Sequence, residues 1–183
     1  NIEKIIWKLK KIEIFTDSLK KDKLLNFENN NDQLFSIVKN YKLYQILEKN
    51  LSKSKYFKKK IIINKNLFFI NNYALIINCD YFHILTKKYF TKKIIKKYNS
   101  IAYTTIIKHE KILNNIATQI FTKKGPLAFL PISDTETSIV YSIYNLIGKN
   151  NEDIKELIHN YNFKYKIKKI KKIDNFELKS LNL

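Results

Sequence analysis

Between Ile101 and Tyr144 apolar and polar positions alternate in short runs separated by turn residues. Ile101–His109 and Ile116–Thr122 repeat with period two, the spacing of a strand with one buried face. Leu127–Ile132 is a compact apolar run, and Thr137–Tyr144 alternates again, with Ser133-Asp134-Thr135-Glu136 as the turn between them. Together these runs predict four antiparallel strands joined by short loops. Upstream, Ile12–Phe15 and Lys23–Phe27 read as a hairpin, and Leu34–Val38 as a short strand. Leu43, Ile46, Leu47 and Leu51 then recur at helical spacing behind Asn40, so Asn40–Leu51 is an amphipathic helix with Asn40 as N-cap. A strand entering a capped helix suits an anion beyond the strand end. It is more often the geometry of an ordinary β–α unit.

The middle of the chain is less regular. Lys60–Ile63 and Leu67–Ile70 read as strands around Asn64-Lys65-Asn66, and Tyr73–Cys79 as a strand buried on both faces. Tyr81–Thr86 reads as irregular and Lys87–Tyr98 as a lysine-rich connection. Asn150 or Asn151 caps a second helix with Ile154, Leu157, Ile158 and Tyr161 on one face. Tyr165–Ile173 is a basic strand or connection. The expected class is α/β of the α+β kind: a mixed, largely antiparallel sheet with flanking helices.

Composition sharpens one stretch. The chain has two Gly and two Pro, and one Gly and both Pro fall within Gly125–Asp134, GPLAFLPISD. In a sequence otherwise drifting toward Lys, Asn, Ile, Phe and Tyr, this points to a backbone requirement. Gly125 supplies the turn after Thr122-Lys123-Lys124, and the prolines each remove an N–H donor. From composition alone, the segment is a core β-hairpin.

Charge changes the picture less than its size suggests. The formal charge is +19, yet all 35 basic residues are Lys. Specific nucleic-acid sites favour Arg for bidentate and stacked contacts, so specific nucleic-acid binding is not expected. Attraction to anionic lipid surfaces is a simpler consequence. No run is long and apolar enough to predict a membrane span. One cysteine, Cys79, forms no internal disulfide, which fits a reducing compartment. The chain starts at Asn1 and contains no Met, which reads as a processed chain or a fragment.

Candidate chemistry is sparse. His83, His109 and His159 fall in three different elements without metal-ligand spacing, so no metal site is expected; His109 is placed facing out of a strand end and His159 on a helix surface. Cys79 beside Asp80 has no legible His partner. Two Gly cannot make a dinucleotide or phosphate loop. No catalytic residue can be named.

GPLAFLPISD followed by TETSIVYSI (residues 125–143) closely resembles the central segment of the flavin-dependent aromatic-ring hydroxylases of ubiquinone biosynthesis, within the p-hydroxybenzoate-hydroxylase-like monooxygenases. LFSIVKNYKLYQIL (34–47) is similar to that family's strand and helix with a characteristic Asn. NYALIINCDYFHILTK (72–87) resembles the strand that ends in its Asp-Gly motif. Residues 98–121 resemble the two strands before the GPLAFLP segment, and 175–183 the stretch before the second FAD motif.

The resemblance implies a FAD-dependent monooxygenase, an oxidoreductase using NAD(P)H and O2 on a polyprenylated phenol, of which this chain is the central piece. It implies residues 1–33 as the first part of a substrate domain and 34–97 as an internal section of a FAD-binding domain. Residues 98–174 are then the main substrate domain, and 175–183 the return toward the FAD-binding domain. Asn40, Asp80 and Lys87 match positions on the cofactor side, and Phe129, Leu130 and Pro131 the strand near flavin ring and substrate. Tyr81 stands for the motif's Gly, Ile84 for its Ser and Lys87 for its terminal Arg. The implied place is the cytoplasm, with peripheral contact at the inner membrane. The alternatives are a non-catalytic relative of that family, or a basic module binding nucleic acid or a membrane surface.

Overall fold

The computed structural model describes residues 2–17, 23–29, 33–60, 73–80, 83–89, 98–144 and 151–177. It divides into two compact units, Asn1–Lys49 with Asn99–Leu178, and Asn50–Tyr98 with Lys179–Leu183. The fold is α+β, with mostly antiparallel sheet.

In the first unit, strands β1 (Ile6–Leu9), β2 (Lys11–Thr16), β3 (Lys23–Glu28) and β4 (Phe35–Val38) precede helix α1 (Asn40–Leu51). After residue 99 come β5 (Ser100–His109), β6 (Ile116–Thr122), β7 (Gly125–Pro131), β8 (Glu136–Tyr144), helix α3 (Asn151–Tyr161), β9 (Ile167–Ile170) and β10 (Asp174–Glu177). The large sheet has eight strands in the order β10-β5-β8-β7-β6-β2-β3, with β9 pairing the far part of β5. A separate two-stranded ladder joins β1 to β4. The four alternating runs expected from sequence are all strands, but they do not form a simple meander. β5 crosses over to pair β8, and β6 pairs β2 in parallel.

Alternation decides which face is closed. Across the ladders, Thr105, Ile139, Phe129 and Thr118 occupy one row on one face, and Tyr103, Tyr141, Leu127, Ile120 and Phe15 the next. This face carries the core. α3 lays Ile154 and Ile158 into it, both almost fully buried, and Tyr165 and Ile173 complete the cluster. The spacing of 154 and 158 is one helical turn, and Glu152 and Asp153 in the first turn oppose the positive helix N-terminus. Burying each isoleucine contributes about 1.5–3 kcal/mol relative to exposure.

The β6–β7 turn explains why Gly125 resists the drift of the sequence. Its φ is +141°, a conformation that side chains strain to adopt. A Cβ there would also overlap the backbone carbonyl oxygen of Ser142 on β8. The Thr122 hydroxyl donates to the Gly125 carbonyl at 2.7 Å and closes the turn.

In the second unit helix α2 (Ile84–Tyr89) forms where irregular chain and a connection were expected. Two side chains organise its start, and one of them is His83, whose Nδ1 accepts the Leu85 N–H at 3.3 Å. Asn78 accepts from the Asp80 N–H at 3.2 Å and donates to the Thr86 hydroxyl at 2.7 Å. The Asp80 carbonyl then accepts from the His83 N–H and the Thr86 hydroxyl. Such an Asx arrangement opens a helix as a cap would. Tyr73–Cys79, expected as a doubly buried strand, forms none: Leu75 and Ile77 are three-quarters exposed or more. An apolar run specifies a strand only if another strand pairs with it, and none does among the described residues. The strands expected over 60–63 and 67–70 lie, Lys60 apart, outside the described residues.

Replacing Gly125 with Ala is expected to lower unfolding stability by about 1–3 kcal/mol from backbone strain alone, with the overlap on Ser142 adding to it. Urea unfolding followed by circular dichroism checks this. A neighbouring Lys124→Ala change, at an exposed turn position, serves as the near-neutral control.

Candidate functional site

The face of the sheet opposite α3 has a different chemistry. One row runs across it without a break: Thr104 (β5), Val140 (β8), Ala128 (β7), Gln119 (β6), Ile14 (β2) and Leu25 (β3). Beside it lie Ile106, Ser138 and Leu130 on one side, and Ala102 and Ser142 on the other. Ala117 and Ile12 continue the same face. None of these residues is charged, in a chain that is 28% Asp, Glu, Lys and Arg. The strands at its centre contribute mostly small side chains, so the backbone lies close beneath the surface. Most of these positions are half-buried. The result is a platform of small, uncharged side chains, with larger apolar residues toward the β3 edge, where Leu25 and Phe27 are about half exposed.

Charge borders the platform at the β10 edge, where Asp174 is the cross-strand partner of Thr104, and at one end of the strands. Glu136 and Lys108 are cross-strand partners there. The Glu136 carboxylate binds the Lys171 ammonium at 2.8 Å and the Lys39 ammonium at 3.2 Å. The bond from Lys171 holds the Glu136 carboxyl below its ordinary value against the opposing push of burial, and Lys39 adds to the effect. Lys39 immediately precedes α1, so this bridge ties the start of that helix to the sheet. The Lys39 carbonyl accepts the first helical N–H bonds, from Lys42 and Leu43, which makes Lys39 rather than Asn40 the residue in the capping position.

A polar cluster at the same end of the sheet escaped sequence reasoning. Asn114, almost fully buried, donates to the Ser133 carbonyl at 2.7 Å and to the Thr137 hydroxyl at 2.9 Å. It accepts from the Tyr165 hydroxyl at 3.1 Å. The Trp7 indole N–H donates to the Asn114 carbonyl oxygen at 2.6 Å. His109 Nδ1 lies 2.7 Å from the Glu110 carbonyl oxygen, and Nε2 lies 3.0 Å from the Thr137 hydroxyl. Since a carbonyl can only accept, Nδ1 carries a proton. Burial pushes Tyr165 up to about 12, so it stays neutral and donates. The cluster is closed on itself and holds the 110–115 loop and the 132–136 turn over the sheet end. His109, expected to face out, is buried because it shares strand parity with Thr105 and Ile107. That parity was the available signal; Asn114 sits in a loop and offered none.

The residues implied by the resemblance are placed unequally. Leu130 is on the open platform, cross-strand from Ser138. Phe129 and Pro131 point the other way, into the covered core, where Phe129 stacks on Tyr165 with ring centroids 6.0 Å apart. Period two makes this unavoidable: three consecutive strand residues cannot all line one wall. Asn40 is exposed at the first turn of α1 in the first unit. Asp80 and Lys87 belong to the second unit, Asp80 ahead of α2 and Lys87 exposed on it. His159 is exposed on α3, and Cys79 is exposed. Among the described residues no group of His, Cys, Asp and Glu could hold a metal ion, and no helix is long and apolar enough to cross a membrane. Compared with known proteins, the chain matches no family model and no curated protein.

Truncating Asn114 to Ala removes the donor to the Ser133 carbonyl and to the Thr137 hydroxyl, which is expected to cost about 1–3 kcal/mol per buried group left unpaired, read by urea unfolding. For Glu136 the expectation is a pH dependence. Its folded-state pKa is depressed, so its contribution is complete above the unfolded value near 4.5 and lost as pH falls through the lower folded value. The stability difference between wild type and Glu136→Gln should therefore be full at pH 7 and close progressively below pH 4.5. A gap that stays constant down to pH 2.5 (roughly two units beneath that onset) contradicts the bridge.

Proposed function

We propose that the chain is part of a FAD-dependent aromatic-ring hydroxylase that uses NAD(P)H and O2 on a polyprenylated phenol, and that the open platform is the wall against which flavin ring and substrate lie. The observation that carries this reading is the uncharged row Thr104, Val140, Ala128, Gln119 and Ile14. A planar aromatic ring loses least when it meets a flat, small-residue surface, because ring atoms reach the backbone without displacing a hydrated charge. The chain's resemblance to the hydroxylases over 125–143 gives the platform this occupant. Bound FAD, reduced by NAD(P)H, supplies the oxygen chemistry that such enzymes direct at an electron-rich ring.

The chain's own residues position and dry the site. Leu130 and Val140 present branched apolar groups that exclude water from the reacting ring. Ser138 and Thr104 offer hydroxyls at its border, and Gln119 an amide. Phe129 and Pro131 act from beneath: packed in the core, they fix the backbone on which Ala128 and Leu130 stand. The apolar positions Leu25 and Phe27 and the lysine excess are compatible with work at the surface of an anionic inner membrane from the cytoplasmic side.

A second reading has its own observation. Tyr81 and Lys87 stand where the family's motif has Gly and Arg, and Lys cannot make the bidentate fork. This favours a relative that binds the same ligands without hydroxylating them.

Expression of the whole reading frame that encodes the chain separates the two. The enzyme reading expects a yellow protein with a flavin band at about 450 nm, NAD(P)H oxidation stimulated by a polyprenyl phenol, and hydroxylated product. Ala128→Lys, which sets an ammonium in the middle of the platform, should abolish product without unfolding the sheet. Flavin bound without turnover supports the second reading. A colourless protein, or hydroxylation indifferent to Ala128→Lys, overturns the platform assignment.

A further inference from the structure

On the helix-covered face, at the end of the sheet away from the Asn114 cluster, the core opens into a cleft of about 350 Å³. That volume is at the lower end of small-ligand sites. Phe15 and Ile120 form its floor, both nearly buried, and Phe163 and Tyr161 its walls. Phe163 stands edge-on to Phe15, with ring centroids 5.2 Å apart and planes at 65°. Phe163 is half exposed, so an aromatic surface faces the opening. Asp17 lies at the lip, and among the described residues lining the cleft it alone carries a charge.

Asp17 is held there. Its Oδ2 accepts the backbone N–H of Lys123 at 3.0 Å, and the Tyr161 hydroxyl hydrogen-bonds the same carboxylate. Burial, reinforced by Asp17, pushes Tyr161 up to about 12, so this hydroxyl remains a neutral donor. Among the described residues these two donors reach a carboxylate that can accept about four hydrogen bonds. Three aromatic rings and a fixed carboxylate, with no lysine among the described residues of the lining, make a site of one sign. An anion would meet Asp17, and a neutral apolar molecule would leave it unmatched. A cation with an apolar body satisfies both parts, through the carboxylate and the faces of the rings.

We propose that this cleft binds a small organic ammonium compound with an apolar or aromatic body, its charged head at Asp17 and its body over Phe15 and Phe163. The site stands whether or not the platform binds flavin. Neutralising Asp17 should remove the preference for charge while leaving the apolar contacts.

The test compares two probes of one shape on the 183-residue chain, benzyltrimethylammonium and its uncharged carbon isostere neopentylbenzene, by ligand-observed NMR titration. The ammonium should bind at least about tenfold more tightly than the isostere. Asp17→Asn should erase that preference, and Phe163→Ala should weaken both probes. Tyr161→Phe, which removes one donor to the carboxylate and preserves the ring, should weaken the ammonium alone. Equal binding of the two probes to the wild-type chain overturns the proposal, and so does a preference that survives in a folded Asp17→Asn protein.

Discussion

Everything in the larger unit depends on strict two-residue alternation through β5, β6, β7 and β8. It sends Tyr103, Ile107, Leu127, Phe129, Ile139 and Tyr141 to one face and Ala102, Ala128, Ser138, Val140 and Ser142 to the other. The first set is large and apolar enough to require a cover, and α3 supplies it through Ile154 and Ile158. The second set is small and uncharged, and it remains a platform. A one-residue slip in any of these ladders would exchange the faces. The devices that prevent the slip sit at the strand ends. Gly125 permits a turn whose backbone passes too close to Ser142 for any side chain, and Asn114 clamps the opposite end through Ser133, Thr137 and Tyr165.

These two devices differ in kind. Gly125 acts by absence of a side chain, so it fixes the distance between β7 and β8 without a bond of its own. Asn114 acts by saturation: its amide, its carbonyl oxygens and its partners all find hydrogen bonds inside the protein. A fully satisfied buried network specifies one arrangement, since each alternative leaves a polar group unpaired. Between the two ends the sheet is free to carry unusual surfaces. One is the uncharged platform; another is the Asp17 cleft on the covered face.

Much of this fold is legible in the residues. α1 lies where Leu43, Ile46, Leu47 and Leu51 put it, and α3 where Ile154 and Ile158 put it. The strands of the 100–144 region follow their alternation closely. Pairing order is not legible, because period two fixes a strand's faces and says nothing of its neighbour; hence the crossover of β5 to β8 and the parallel β2–β6 ladder. Residues 73–80 show the converse failure. Leu75, Ile76 and Ile77 have strand composition, but composition cannot supply a partner strand. The site was partly legible. Leu130, named from the resemblance, stands on the platform face, and its parity would have excluded Phe129 and Pro131 from the same wall. The Asn78 turn that starts α2 was not seen, because its effect lies in side-chain bonds to Asp80 and Thr86 instead of in apolar spacing. The compositional drift toward Lys and Asn also hides polar residues that matter, such as Asn114, among many that do not.

The most direct measurement of the platform assignment is protection of its centre by the cofactor. In the product of the whole reading frame, with Cys79 replaced by Ser, a cysteine is introduced by Val140→Cys and its maleimide reaction is timed with and without FAD. If flavin lies on this face, FAD should slow labelling of the new thiol by about tenfold or more, a change of roughly 1.4 kcal/mol in its exposure equilibrium. Labelling at the same rate in saturating FAD would show that the platform belongs to something else.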